Sequence, residues 1–199
     1  MLSFSLDWNC VIAVENREPA GASVVALSDA YRAKRADVAL LATSASESLR
    51  DNTFPGSYGH FEDRVKSAGL EDLPALQTPA VWSLTFWDRS YWVDIEKDRQ
   101  AKAAIWAVRF PTIEEEPWHR LGARTFAEIV HTPEMKKWRN AWCDGHNLVT
   151  HIDHNRDAFV TTNTDDYQRN SGMLRQLGIR TILTPDEARA TVEPHFKLR

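Results

Sequence analysis

The chain has 199 residues, 43% of them hydrophobic and 26% charged, with a formal net charge of −4. This length and composition suit one globular domain, residues 1–199, with one substantial core. The negative charge argues against a protein that coats nucleic acid by bulk electrostatics, although a local basic patch stays open. Every apolar run is far shorter than the ~20 residues of a membrane-spanning helix, and no signal-peptide pattern follows Met1, so we expect a cytoplasmic protein without a membrane span.

The amino-terminal part of the chain alternates strand and helix patterns. Residues 2–6 form a short apolar run, and residues 22–33 carry apolar side chains at roughly helical spacing. Residues 37–43 contain a continuous apolar run, Val38 to Ala42, as in a strand that is buried on both faces of a sheet. This order predicts a βαβ unit, whose two strands pair in parallel.

The middle of the chain, about residues 52–130, is less regular and is interpreted as an insertion in an α/β core. Aromatic runs on either side of Asp88-Arg89-Ser90 predict a hairpin over residues 81–93, and helical patterns follow at 96–108 and 124–131. Five of the eight tryptophans fall in this region: Trp82, Trp87, Trp92, Trp106 and Trp118. Packing in a core or interface is the expected role of these rings, with base stacking as the alternative.

A long helical pattern follows the insertion. Thr132 and Pro133 suit its first turn. Apolar side chains at three- and four-residue spacing form its expected buried stripe: Met135, Trp138, Trp142, Val149 and Ile152. About 100° per residue places Asp144 on a flank of that stripe. Gly145 leaves open the alternative of two shorter helices, with Asp144 at the start of the second.

The carboxyl-terminal residues repeat the alternation of strand and helix. A strand is predicted at 158–162, a helix at about 173–177 that Gly178 closes, and a strand at 180–183. Thr184-Pro185-Asp186-Glu187 predicts the start of a further helix, with a capping residue, a first-turn proline and two acids. The whole pattern predicts a mostly parallel central sheet with helices on both faces.

Four acidic residues lie where these predicted strands and helices would bring them to one edge of the sheet. Asp7 directly follows the first strand, and Glu47 lies just past the second. Asp144 belongs to the long helical pattern, and Asp166 follows the strand at 158–162. Because open parallel sheets bind ligands at the carboxyl ends of their strands, we expect a site there.

The sequence around these acids resembles the PIN-domain family, which includes the toxin ribonucleases of bacterial toxin-antitoxin pairs. Residues 5–12 are similar to that family's first strand followed by Asp-x-Asn, residues 144–149 and 157–167 to its Asp-led helix, its strand and its Thr-x-Asn-x-x-Asp-aromatic run, and residues 178–185 to its last strand. The resemblance covers about half of the chain. It implies a PIN-like three-layer α/β/α fold, from which the insertion at about 52–130 departs.

The same resemblance implies an acidic quartet made of Asp7, Glu47, Asp144 and Asp166, with Asn163 beside it. Carboxylates held close together repel one another unless a cation or a proton intervenes. Such oxygen ligands suit Mg²⁺ or Mn²⁺, which would activate a water molecule and stabilise the developing charge on a phosphodiester. We therefore expect all four acids to be catalytic and metal-binding, with Asn9 and Asn163 as hydrogen-bonding supports.

The long helical pattern also carries basic residues and histidines. Lys136, Lys137 and Arg139 form a basic cluster near Asp144 that either contacts RNA phosphates or is solvated surface. The three histidines of this region are His146, His151 and His154. Their spacing does not put all three on one face of a helix, so polar helix surface is expected rather than a zinc site.

The leading functional prediction is a metal-dependent endonuclease that hydrolyses the phosphodiester bonds of single-stranded RNA. If it is a toxin, an antitoxin or another inhibitory protein is the expected partner, and a homodimer stays open. The alternatives are a catalytically weak PIN-like module that binds RNA or a protein through the insertion, and a nuclease directed at DNA. A dinucleotide-binding enzyme is disfavoured because neither early strand-to-helix turn carries Gly-x-Gly-x-x-Gly.

Overall fold

The computed structural model describes residues 1–47, 57–119, 126–130, 132 and 135–193. The chain begins with β1 (Ser3–Leu6), α1 (Trp8–Glu15), α2 (Pro19–Arg32), β2 (Asp37–Leu41) and a 3₁₀ turn (Ala42–Ser46). β1 and β2 pair in parallel, which confirms the predicted βαβ unit. Two helices connect these strands, because the apolar residues that follow Asp7 form α1 before the predicted helix begins.

The central part of the chain contains mainly short elements. They are α3 (Gly59–Ser67), β3 (Ala75–Leu76), β4 (Thr78–Pro79), β5 (Ser90–Tyr91), α4 (Ile95–Arg109) and α5 (Phe126–Ile129). The remainder contains α6 (Lys136–Asp153), β6 (Ala158–Val160), α7 (Thr164–Gln168), α8 (Ser171–Gln176), β7 (Ile182–Leu183) and α9 (Pro185–Val192). Thr184 and Glu187 form a reciprocal capping box at the start of α9, which confirms that predicted helix start.

The central sheet has the strand order β3-β2-β1-β6-β7, and each of its pairs is parallel. β1 lies in the middle, where Leu6 is in register with Leu40 on one side and with Val160 on the other. The predicted parallel sheet is therefore confirmed. Its three central strands end side by side, so residues that follow them share one edge.

Helices cover both faces of this sheet. Alternate strand residues such as Phe4 and Val38 pack into a core with α1, α2 and α9. Leu41 and Phe159 face the other way, into a core with α6 and α8. The arrangement is compatible with three layers, and α6 is the helix that covers the second face. Within the described residues, no helix is both long and apolar enough to cross a membrane.

The hairpin predicted at residues 81–93 is wrong. β4 and β5 pair in parallel, with Thr78 opposite Ser90, and the chain between them turns at Val81 and again in a 3₁₀ turn at Trp87–Arg89. The Thr85 hydroxyl accepts the Val81 N–H at 2.9 Å, and the Thr85 N–H donates to the Val81 carbonyl at 3.0 Å. Local hydrogen bonding thus overrides the β propensity of this aromatic stretch.

α6 is continuous from Lys136 to Asp153, so Gly145 does not break it. It begins later than predicted, and Pro133 lies outside the described residues. The predicted stripe is buried except for Ile152, which is half-buried. Burial extends well beyond that stripe, because the sheet lies on one side of α6 and the insertion packs on another.

Gly21 provides a test of how α1 and α2 pack. A Cβ atom at this position would lie 2.7 Å from the backbone oxygen of Ala13, whereas a Cβ at the exposed Gly172 would meet nothing within 4 Å. We expect Gly21→Ala to lower the free energy of unfolding by about 1–3 kcal/mol, because the helix backbones must separate. Urea denaturation measures this effect. Gly172→Ala is the matched control and should be neutral or slightly stabilising; equal effects of the two substitutions would contradict the described contact.

Candidate metal centre

Asp7 is held at the end of β1 by the sheet and by α1. Its backbone N–H donates to the Val160 carbonyl at 2.9 Å, and its side chain is only 2% exposed. Oδ1 accepts the Trp8 N–H at 2.9 Å, while Oδ2 accepts the Thr161 hydroxyl at 2.8 Å and the Asn9 amide at 3.2 Å. Burial raises the pKa of Asp7, and these hydrogen bonds oppose the rise because they favour the ionised form.

Glu47 reaches the same edge from β2 through the 3₁₀ turn at Ala42–Ser46. Its Oε1 atom is buried and makes no hydrogen bond. Burial, followed by the charges of Asp7 and Asp144, raises the pKa of Glu47 well above its ordinary value, and Arg64 opposes this shift. A carboxylate oxygen left buried without a donor is costly, so this atom is suited to a cation or a proton.

Asp144 projects from the half-buried flank of α6 and completes a group of three acids. One carboxylate oxygen from each of Asp7, Glu47 and Asp144 lies within 4.8 Å of the others. Oxygens that share an octahedral Mg²⁺ at about 2.1 Å are separated by roughly 3 to 4.2 Å. Small side-chain rotations would therefore let the three acids share one divalent cation.

The other predicted site residues have different positions. Asn9 donates to Asp7 as described, whereas Asn163 is exposed and precedes α7. The Asn163 backbone N–H donates to the Thr161 hydroxyl at 3.2 Å, and that hydroxyl donates to Asp7. Asp166 belongs to α7, but its side chain lies outside the part of the chain that is described.

Three residues that the sequence analysis did not single out also belong to this region. Thr161 is fully buried and donates to Asp7. The guanidinium of Arg109, at the end of α4, lies 3.9 Å from the ring centroid of the buried Tyr167. The charge of Arg109 opposes the rise in the pKa of Asp7. Tyr167 is the aromatic residue of the motif at 157–167, whereas no local pattern links Arg109 of the insertion to β1.

Arg139 does not belong to a solvated basic cluster. It is buried, and its Nε donates to the Ser46 carbonyl at 2.9 Å, next to Glu47. Burial lowers its pKa to about 10. Both expectations for Arg139, contact with RNA phosphates and solvated surface, are therefore wrong, because this side of α6 faces the turn that carries Glu47 and the side chain is buried there. Lys137 is exposed and Lys136 half-buried.

The expectation of polar helix surface is also wrong for two of the three histidines. Nε2 of the buried His146 lies 3.0 Å from the Pro79 carbonyl. Nδ1 of the buried His151 lies 3.1 Å from the Ser5 hydroxyl. His154 alone is exposed, with Nε2 2.8 Å from the Gln77 carbonyl. Among the described residues, the ligand atoms that converge as a metal site would require belong to the three acids and to no histidine.

Comparisons of the chain with protein-family models, with curated proteins and with solved structures gave no match. The chemistry of the site is therefore inferred from the geometry of its own residues. That geometry consists of three converging carboxylates from β1, β2 and α6, one of which has a buried oxygen without a donor.

The raised pKa of Glu47 predicts a pH dependence of stability in EDTA. Above the ordinary value of 4.5, the unfolded chain releases this proton while the folded protein keeps it, so folding loses stability as the pH rises through the raised pKa. Glu47→Gln removes this loss. We expect the Tm of Glu47→Gln minus that of the wild type to increase with pH. The increase should be about 2 to 4 °C for each kcal/mol of unfolding free energy that the wild type loses.

Glu71→Gln is the matched control, because its carboxylate is exposed on the loop before β3. Its Tm should follow that of the wild type at each pH. A Tm difference between Glu47→Gln and the wild type that is the same at pH 5 and pH 8 would contradict the described environment of Glu47.

Proposed function

We propose that this protein is a Mg²⁺- or Mn²⁺-dependent phosphodiester hydrolase, an endoribonuclease that acts on single-stranded RNA. The observation that carries the proposal is the convergence of Asp7, Glu47 and Asp144, whose carboxylate oxygens lie within 4.8 Å of one another. A PIN-like three-layer fold in a single domain is part of the proposal. The parallel sheet with helices on both faces and the resemblance of residues 5–12 and 157–167 support it.

The residues at the site fit a hard divalent cation. Asp7, Glu47 and Asp144 would hold it, with Asp166 of α7 as the proposed fourth acid. When bound, such an ion lowers the pKa of a water molecule and neutralises charge on a phosphodiester. The hydrogen bonds from Thr161 and Asn9 fix the orientation of the Asp7 carboxylate. Oε1 of Glu47, which has no donor, could accept a proton from the attacking water or bind the cation.

A purely structural role explains only part of this arrangement. Asp7 does occupy the N-cap position of α1, where it accepts the Trp8 N–H. A cap gives no reason for two further carboxylates to lie beside it, since close like charges destabilise the folded state. Selection for chemistry accounts for such a cost better than selection for stability does.

The RNA substrate and the partners are proposed on the same basis. Lys136 and Lys137 lie at the start of α6 and remain the proposed contacts for RNA phosphates. We propose a cytoplasmic enzyme and, from the resemblance to toxin ribonucleases, an antitoxin or other inhibitory protein as its regulator. A DNA phosphodiester has the same reacting group, so a single-stranded DNA of matched sequence belongs in the assay beside RNA.

A second candidate function is an RNA- or protein-binding module that acts through the insertion. Trp82, Trp87 and Trp92 are 70%, 51% and 81% exposed, and neighbouring rings in this row lie 5.5 and 5.4 Å apart. These three rings are therefore not part of the core, and packing in an interface stays a prediction for them, whereas Trp106 is buried and Trp118 partly buried. The participation of Glu47 in the acidic group favours the nuclease as the leading proposal.

Cleavage of RNA by the purified protein tests the proposed activity. A labelled single-stranded RNA should be cut with Mg²⁺ or Mn²⁺, and EDTA should stop the reaction. Asp7→Asn should lower the rate at least about 100-fold, because it removes a proposed ligand while the hydrogen-bonding shape is largely kept. Glu71→Gln, prepared in parallel, should cut at the wild-type rate. Equal rates for Asp7→Asn and Glu71→Gln would reveal a contaminating nuclease or a different active site.

Thermal unfolding tests the metal site without any substrate. We expect Mg²⁺ or Mn²⁺ at about 100 times its Kd to raise the Tm of the wild type by roughly 5 to 10 °C. Asp144→Asn should have a higher Tm than the wild type in EDTA, because one repelling charge is lost, and a smaller response to metal. The same metal response in both proteins would be incompatible with a cation bound by Asp144.

A further inference from the structure

A cavity of about 320 Å³ lies between α6 and the insertion. Tryptophan rings form much of its lining, which includes Trp118, Trp138, Lys102, Glu115, Glu116 and His146. None of the three acids of the candidate metal centre lines it. Its volume is within the range of small-molecule sites in proteins.

The aromatic walls of this cavity meet at a steep angle and are held in place. The rings of Trp118 and Trp138 are 5.5 Å apart and almost perpendicular, at 89°. The indole N–H of Trp138 donates to the Glu115 carbonyl at 2.8 Å, and that of Trp106 donates to the Ile113 carbonyl at 2.8 Å. A flat base stacks between parallel rings, whereas two perpendicular rings suit a compact group that contacts both of them.

His146 contributes a buried hydrogen-bond acceptor to this lining. It is only 1% exposed, and its ring is stacked on that of Trp142 at 4.4 Å. Nε2 lies 3.0 Å from the Pro79 carbonyl, which can only accept, so Nε2 carries the proton and Nδ1 is an acceptor. Nδ1 has no hydrogen-bond partner. Burial and the charge of Lys102 hold the pKa of His146 well below its ordinary value, which keeps the ring neutral.

The charges at the cavity favour a positive ligand. Glu115 is exposed and lines it, and the ammonium of Lys102, which also lines it, is bound to Asp98 at 2.5 Å. A ligand would thus meet tryptophan rings and the carboxylate of Glu115. We propose that this cavity binds an organic cation, a substituted ammonium or a guanidinium group, by cation–π contacts with the tryptophans and ionic contact with Glu115.

This site is separate from the proposed nuclease centre. Trp138, Trp142 and His146 lie on the side of α6 that faces the insertion, and about 100° per residue places Asp144 on a different side. The proposal therefore does not depend on nuclease activity. The cation could be a small molecule or an arginine side chain of another polypeptide, and both share the chemistry that the cavity offers.

Calorimetric titration of the wild-type protein with matched ligand pairs tests the proposal. Choline is compared with 3,3-dimethylbutanol, its neutral isostere, and N-acetylarginine amide with N-acetylcitrulline amide. At least one cation should bind about tenfold or more tightly than its isostere. Preference for choline would indicate a small molecule, and preference for the capped arginine a polypeptide. Equal binding within both pairs, no measurable binding of either cation, or tighter binding of adenosine than of both cations would overturn the proposal.

Two substitutions assign the binding to this cavity. Trp118→Leu removes one wall, and Glu115→Gln removes one charge while its carbonyl still accepts the Trp138 N–H. Trp118→Leu should weaken binding of the cation about tenfold and Glu115→Gln severalfold. Trp92→Leu is the control, since Trp92 is exposed outside the cavity. If both cavity variants bind like Trp92→Leu while their Tm values match the wild type, the proposed cavity is wrong.

Discussion

The parallel pairing of β1 with β2 on one side and β6 on the other positions the candidate metal centre. Because hydrogen bonds hold β1 on both edges, the residues that follow these strands meet at one place. Asp7 follows β1, the turn to Glu47 follows β2, and Thr161 follows β6. The helix α6 covers this sheet and brings Asp144 to the same edge. The loss of this register would separate all four side chains together.

The carboxylates of Asp7 and Glu47 are stabilised unequally. Both oxygens of Asp7 accept hydrogen bonds, whereas Oε1 of Glu47 accepts none. Asp7 is thus suited to stay ionised in a fixed orientation despite its burial. The pKa of Glu47 is raised further than that of Asp7, so the charge of Glu47 depends more on a bound cation than that of Asp7 does. Such a difference between neighbouring carboxylates is typical of sites in which each has its own role.

The parts of the fold that could be predicted from sequence are those set by local patterns. Continuous apolar runs and their order with helices predicted the parallel sheet, and the position of Asp7 and Glu47 after two of those runs predicted their meeting. Contacts between remote segments could not be predicted in this way. Arg139 donates to a carbonyl 93 residues away, and His151 contacts Ser5 across 146 residues. A polar side chain with such a partner is read from sequence as surface.

The row of aromatic residues before α4 shows a second limit of sequence patterns. High β propensity and a polar Asp88-Arg89-Ser90 segment suggested a hairpin, but the Thr85 hydroxyl binds the Val81 N–H and turns the chain. Two of the rings that a hairpin would have ordered, Trp82 and Trp87, are instead largely exposed to solvent.

The helix α6 borders both the acidic group and the tryptophan cavity. If the binding of one ligand displaced this helix, the contacts at the other site would change as well. Thermodynamic linkage is reciprocal. If a ligand in the cavity changed the affinity for a divalent cation by some factor, the cation would change the affinity for that ligand by the same factor. Through the hydrogen bond from Arg139 to Ser46, the turn that carries Glu47 is attached to this helix as well. Two of the three acids, Asp144 and Glu47, are therefore connected to α6.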